Sequence, residues 1–492
     1  MSMLFIFSIL MILSVFTTKI GSRFGIPLLL IFMLIGIIFG SDVLNLFYFD
    51  DALLTKRVAD ILLIFILFDG GYSTTRAAFR RVAGPALTLA TLGVVLTAFV
   101  LGFFVHHIFH LPFLESMMIA SIIASTDAAA VYMITRQNPI KSKLATTIEV
   151  ESAANDPMAI LLTLAFINLL TIGGDSYFQY VLNLVWQFMG GVLVGFVMSK
   201  ISVYLFDHLK SENRGNYNVL MVGLILLGYG AADLIAANGI IAVFFMGYWL
   251  GNSEFTGKQG ASNFVEGITT LSNVALFLML GLLVFPSNFV NIWKEGLIMA
   301  LVLTFVARPV AVFLSLIPFK YTFKEQTFIS WGGIKGAVAV VLATYPYAAN
   351  LDQNGIVFDI IFFVVLVSCL VQGMSLGKLS QLFNFTAERP LVSPYTVELH
   401  TTKKSDVDMY EIHIAKDARA IDKSIATLGL GSDMVISSII RDEAMLIPSG
   451  RIVLQEGDIL FVLAHSYDID RVNQLLNDPE AEPEPEPEPA VV

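Results

Sequence analysis

Glu151-Ser152-Ala153-Ala154-Asn155-Asp156-Pro157 sets two carboxylates, an amide and a proline inside an apolar run that extends from about Lys143 to Ile172. Charge at that depth in a spanning helix is expensive and marks function before structure. The preceding apolar run carries another acid at mid-length, Asp127, in Ser125-Thr126-Asp127-Ala128-Ala129-Ala130-Val131. Two neighbouring spans each bring a carboxylate to similar depth, and that pattern reads as a cation pathway.

The rest of the chain supplies the membrane. Of 492 residues, 56% are hydrophobic and 14% charged, with a mean hydropathy of +0.76; soluble domains carry about 25% charged residues. The fold class is therefore a polytopic α-helical membrane protein. The net charge of −11 is partly local, since Glu480, Glu482, Glu484, Glu486 and Glu488 cluster at the C-terminus, and it argues against a nucleic-acid partner. Cys369, the single cysteine, lies in an apolar span and reads as packing. The run Met3 to Phe16 has no preceding basic region and no small-residue cleavage pattern, so it reads as a first spanning helix and not as a signal peptide.

Runs able to cross a bilayer fall near 2–18, 26–40, 57–72, 83–106, 113–134, 144–172, 178–199, 217–235, 237–251, 266–285, 294–317, 327–347 and 356–376, about thirteen in all. Alternate loops hold the bases: Lys19 and Arg23; Arg76, Arg80 and Arg81; Arg136, Lys141 and Lys143; Lys200, Lys210 and Arg214; Lys258; Lys320 and Lys324; Lys378 and Arg389. The intervening loops hold only Lys56, Arg57 and Lys294 beside several aspartates. The positive-inside rule then predicts an external N-terminus and a cytoplasmic C-terminus. Beyond Arg389-Pro390 hydropathy falls and short alternating stretches such as Asp458 to Leu463 appear between turn signals, which predicts a small cytoplasmic α+β domain over about 395–477. The Glu-Pro repeat over 478–492 cannot bury a core and is expected to be a solvated tail.

Asp156 is the expected ion carrier, because a buried carboxylate can hold either a proton or a monovalent cation on the same oxygens. Thr126, Asp127 and Ser152 would add oxygen ligands, a set that suits a hard cation. Arg308 and Lys335 lie inside late spans and need counter-charges, for which Glu151 and Glu149 are available. Glu151 precedes Asp156 by five residues, about 140° around a helix, so the two can face different neighbours; a structural ion pair among Glu151, Arg308 and Lys335 is the expectation. Asp69, near the end of its span, reads as structural or as part of an entry funnel. Pro157, Pro309 and Gly332-Gly333-Ile334-Lys335-Gly336 suggest interrupted helices near the membrane centre. His106, His107 and His110 sit at a span end and read as interfacial.

Thr126 to Val131, Glu151 to Ile160, Phe68-Asp69-Gly70-Gly71 and Trp331 to Val338 together resemble the monovalent cation/proton antiporters of the NhaP type. The resemblance covers about residues 1–385. It implies a thirteen-helix inverted-repeat fold, a homodimer and an elevator-like movement of a core carrying the ion. By position, Asp156 resembles the essential ion-binding aspartate, Thr126 and Asp127 the crossing residues, and Glu151 the buried acid paired with a late-helix base. Asn155 resembles the amide found where electrogenic relatives have a second acid, which implies electroneutral one-for-one exchange. Ala128 and Pro157 follow the pattern of the potassium/proton subgroup. Lys335 stands where the family usually has arginine, which it does not match in bidentate pairing, so Lys335 and Arg308 are both candidates for Glu151. The segment from about Val407 to Leu476 resembles the TrkA-C module of potassium-uptake regulators, which implies dimerisation and a nucleotide or small anionic ligand.

The expectation is thus an electroneutral potassium/proton antiporter of a bacterial inner membrane, not an enzyme, with no cofactor beyond that regulatory ligand. Sodium or rubidium in place of potassium, a cation sensor without flux, and an anion exchanger built on Lys335 and Arg308 are the rival readings.

Overall fold

A computed structural model describes residues 3–24, 27–46, 48–137, 139–171, 177–211, 213–352, 354–387, 407–416, 418–429, 434–442, 444–465 and 468–478. The expected Glu-Pro tail, apart from its first residue, and the start of the expected C-terminal domain lie outside the described residues. The helical part, apart from residues 206–211 and 255–260, and the C-terminal part belong to two separate compact units.

The helical unit follows the apolar runs. It opens with α1 (Met3–Phe24), α2 (Leu28–Phe39) and α3 (Ala52–Tyr72). Helices α4 (Arg76–Thr88) and α5 (Val94–Phe109) continue one another through a π-turn at Leu89–Gly93. Then come α6 (Phe113–Ile122), α7 (Ala128–Gln137), α8 (Ser142–Thr171), α9 (Tyr177–Leu209), α10 (Arg214–Leu234), α11 (Gly239–Gly251) and α12 (Lys258–Leu283). Helices α13 (Pro286–Val302) and α14 (Arg308–Leu316) join through a π-turn at Leu303–Ala307, and α15 (Phe323–Trp331) and α16 (Ala337–Ala348) follow. Finally α17 (Ile356–Ser368) and α18 (Met374–Leu382) join through a third π-turn, Cys369–Gly373. Polar side chains set several starts: Asp51 accepts from Leu54 N, Asn238 from Ile240 N and Ile241 N, and Thr322 with Glu325 forms a capping box on α15.

Burial grades inward. Every residue from Ala337 to Pro346 on α16 is buried, as are Glu151, Ser152, Asn155 and Asp156 on α8. In contrast α9 exposes Val181, Leu182, Val185, Trp186, Met189 and Leu193, a face fit for lipid or another apolar surface. Helix α3 packs closely on α11: a Cβ at Gly71 would overlap the Phe244 carbonyl, and one at Gly247 the Phe68 carbonyl. Backbone contact of this kind is what small residues permit between spanning helices.

Three sequence expectations need correction. The run 113–134 is not one span but is broken over Ile123–Asp127 between α6 and α7. Pro157 does not interrupt α8, which runs continuously from Ser142 to Thr171; a proline removes one helical hydrogen bond, and packing on both sides holds the helix through it. Pro309 likewise does not end its helix: α13, the π-turn Leu303–Ala307 and α14 run on from Pro286 to Leu316, with the π-turn directly upstream of the proline. The break foreseen at Gly332–Gly336 is present.

In the C-terminal unit, β1 (Val407–His413), β2 (Val435–Arg441), β3 (Ala444–Leu446) and β4 (Ile459–His465) form an antiparallel sheet of order β1-β4-β2-β3, and α19 (Ile469–Asn477) closes the chain's described part. Ile412, Ile436, Ile439, Leu460, Val462, Val472 and Leu476 make its core. Asp458 is fully buried and grips Arg441 with both oxygens, at 2.7 Å from Nε and 2.7 Å from Nη2. Those bonds hold the Arg441 guanidinium above its ordinary pKa.

Candidate cation site

The two unwound segments, Ile123–Asp127 and Gly332–Gly336, meet. Asp127 N donates to Ile334 O at 2.8 Å, and a Cβ at Gly336 would overlap the Asp127 carboxylate. Four half-helix ends therefore converge: the C-termini of α6 and α15 and the N-termini of α7 and α16. Helix ends carry roughly half a charge each, negative at the C-terminus and positive at the N-terminus. The side chains here compensate them. Lys335 Nζ donates to Ala124 O at 3.2 Å and Ser125 O at 2.9 Å, at the end of α6. Asp127 Oδ1 accepts from Ala130 N at 3.2 Å, at the start of α7.

Lys335 thus serves the broken backbone. Among the described residues it holds no ion pair, and Glu151 is taken by Arg308: Nη2 to Oε2 is 2.9 Å, with the two side chains 1% and 0% exposed. The expected trio of Glu151, Arg308 and Lys335 resolves into a pair and a separate cap. Nor is Glu149 a counter-charge to these bases; its Oε1 accepts from Thr135 Oγ1 at 3.2 Å. The room for the Arg308 head comes from Gly333, where a Cβ would strike Nε.

Asn155 is committed to the frame. Its Nδ2 donates to Thr126 Oγ1 at 2.6 Å and to Glu151 Oε1 at 3.0 Å, while its Oδ1 accepts from Thr126 N at 3.2 Å. Ser152 Oγ and Thr126 Oγ1 share a 2.8 Å hydrogen bond. These contacts tie α8 to the first unwound segment with Thr126, Ser152, Asn155 and Glu151 all buried.

Asp156 differs from them. It is 9% exposed, and its buried Oδ1 has no hydrogen-bond partner among the described residues. A buried carboxylate oxygen without a partner is costly, and a bound proton or cation removes that cost. Asp156 lines a cavity of about 630 Å³ together with Thr126 and Asp127, and the same cavity reaches Ser73, Thr74 and Thr75 between α3 and α4. Asp69, Glu149 and Glu266 line it between. Pro157 contributes as well, since it leaves the carbonyl of cavity-lining Ala153 without its helical donor. No cluster of three or more His, Cys, Asp or Glu fit for a transition or alkaline-earth metal occurs among the described residues.

Sequence reading missed the support behind the second break. Ser368 Oγ accepts from Lys335 N at 3.0 Å and donates to Gln372 Oε1, Gln372 Nε2 donates to Trp331 O at 3.1 Å, and Cys369 Sγ donates to Lys335 O at 3.1 Å. Cys369 is therefore a donor to the unwound strand and more than packing. Gln372 within an apolar run was the available signal. The histidines at the end of α5 make only local contacts in what is described: His106 Nδ1 with Leu111 O and His107 Nδ1 with Phe103 O.

Comparison with known proteins agrees with this architecture. The transmembrane model of the sodium/hydrogen exchanger family matches residues 9–381, and the TrkA-C domain model matches residues 409–477. The K(+)/H(+) antiporter NhaP2 of Shewanella sp. (strain ANA-3) is 34% identical over 481 residues, 96% of this chain and 83% of its own length. The K(+)/H(+) antiporter NhaP of Alkalimonas amylolytica is 32% identical over 474 residues, 96% and 82% of the two chains. The Na(+)/H(+) antiporter 1 of Methanocaldococcus jannaschii is 29% identical over 349 residues, 68% and 80%. The solved sodium proton antiporter MjNhaP1 from that organism superposes with a TM-score of 0.66 at 24% identity, over 77% of this chain and 97% of that one. The chain is a polytopic membrane protein that belongs to the sodium/hydrogen exchanger family, a cation/proton antiporter of the NhaP type with a TrkA-C domain.

Proposed function

We propose that this protein exchanges potassium for protons, one for one, by letting the two compete for Asp156 under alternating access. The observation that carries the reading is the buried Asp156 Oδ1, without a hydrogen-bond partner among the described residues, in a cavity beside the crossing. Glu151 is neutralised by Arg308, and position 155 is an amide bound into the frame, so Asp156 is the acid best placed to trade its charge. Asp127 and Thr126 complete the oxygen environment, with Ser152 and Asn155 holding Thr126 in place. Charge balance within a single carboxylate supports electroneutral exchange.

Potassium is favoured because the relatives that match nearly the whole chain are named K(+)/H(+) antiporters. Sodium is the second reading, supported by the name of the Methanocaldococcus relative. The organisation we infer is a transmembrane domain over 1–385, a cytoplasmic regulatory domain over 395–477 that takes a nucleotide or small anion, and a solvated tail over 478–492. The alternating loop charges support an external N-terminus and a cytoplasmic C-terminus in a bacterial inner membrane, which makes the cavity inward-facing. A homodimer fits the exposed apolar face of α9.

The test is dye-monitored proton exchange in everted vesicles from a host lacking its own antiporters. Potassium added to the wild type is expected to collapse the pH gradient without changing membrane potential. A response to sodium alone would transfer the reading to sodium, and a response to neither in folded protein would end it.

A further inference from the structure

The other end of α3 carries a polar contact that the ion site does not use. Tyr345 Oη, on α16, donates to Asp60 Oδ1 on α3 at 2.7 Å. The second oxygen of Asp60 accepts from Lys56 Nζ at 2.7 Å, and the same ammonium lies over the Tyr345 ring, 4.2 Å from its centre. Tyr345 is buried, and Asp60 and Lys56 are each about a quarter exposed.

The two helices joined here are also the two that flank the route. Helix α3 reaches the cavity through Ile66, Asp69 and Gly70, and Asp60 lies six residues before Ile66, about 9 Å along the axis at the usual rise. Helix α16 begins at the crossing against Asp127, and everything from Val338 to Tyr345 is buried. One end of this helix pair is thus hollow and the other packed shut. The attachments differ too. Helix α3 is fixed to α11 by backbone contact at Gly71 and Gly247, whereas α16 is continuous with the unwound strand that bonds Asp127. The Lys56–Asp60–Tyr345 contact therefore ties a helix continuous with the ion site to one anchored elsewhere.

We infer that Asp60 and Tyr345, braced by Lys56, form the gate of the closed end: the bond must break for Asp156 to be reached from the side on which Asp50 and Asp51 lie. An antiporter exposes its site to each side in turn, so the packed half of α16 must separate from α3 once per cycle. A phenol on a carboxylate that is also held by an ammonium is a charge-assisted bond, strong enough to hold one state and weak enough to open.

The inference rests on the antiport reading only in requiring access from both sides, and its first test reads access and not flux. In a Cys369→Ser background, Ala337→Cys places one thiol in the cavity. Labelling of that thiol by a membrane-impermeant maleimide, applied from the Asp51 side, is expected to quicken roughly ten-fold in Tyr345→Phe and in Asp60→Ala, the scale of one hydrogen bond to a charged group. Unchanged labelling in both variants, with the protein monodisperse, would overturn the gate. A reciprocal variant, Asp60→Cys/Tyr345→Cys, treated with a short bifunctional thiol reagent is expected to lose transport and to regain it on reversal. Full transport by the cross-linked protein would also overturn it. Asp156→Asn, by contrast, is expected to lose exchange while keeping the wild-type labelling pattern, so failure of the ion-site reading and failure of the gate give different results.

Discussion

Arg308 Nη2 stands 2.9 Å from Glu151 Oε2, with both side chains closed off from solvent. The pair joins α14 to α8 directly behind the network that holds Thr126. Removing one member of a buried pair leaves an uncompensated charge and costs about 3–5 kcal/mol. Arg308→Ala is therefore expected to lower the melting temperature in detergent by many degrees. Arg308→Ala/Glu151→Gln should recover part of that loss, because no lone charge is left. Equal melting of wild type and Arg308→Ala would refute the pair's structural role.

Lys335 makes a different prediction. Its ammonium serves the carbonyls of Ala124 and Ser125, so Lys335→Met leaves buried acceptors and a helix end uncompensated, a cost of about 1–3 kcal/mol for each group left unpaired. Transport is expected to fall at least ten-fold while Lys335→Arg, which keeps a donor and a charge, retains more. If Lys335→Met transported normally, the crossing would not depend on this cap.

Asn155 tests the electroneutral reading. Its Nδ2 donates to Glu151 Oε1 at 3.0 Å and to Thr126 Oγ1. Asn155→Asp replaces a donor by an acceptor and sets two carboxylates against each other. The expected outcome is a destabilised protein with impaired exchange, and not a conversion to electrogenic transport. Measuring the membrane potential generated by reconstituted Asn155→Asp decides this, and robust electrogenic exchange would show that the amide is not required by the frame.

How far the sequence carried depended on what each signal encodes. Asp156 and Thr126-Asp127 stood out as candidates because charge in an apolar run has few structural uses. The partner of Glu151 was not, since Arg308 and Lys335 are both buried bases on late helices and only the crossing of helices distinguishes them. Pro157 pointed to a break that packing suppresses, whereas the real break at Ile123–Asp127 lay inside a run long and apolar enough on both sides to read as one span. Its only local sign was Ser125-Thr126-Asp127, a capping sequence ahead of α7. Of the Ser368, Cys369 and Gln372 support only Gln372 stood out in its apolar run, and its target was hidden because the support acts on the backbone of a segment 33 to 41 residues earlier in the chain.

Exchange turns on Asp156, and Asp156→Asn keeps the size of that side chain while removing its charge. Proton/cation exchange should be measured in everted vesicles for wild type and Asp156→Asn, with equal amounts of folded protein and with potassium and sodium added in turn. Exchange is expected in the wild type and none above background in the variant. Exchange by Asp156→Asn at the wild-type rate would rule out Asp156 as the ion carrier.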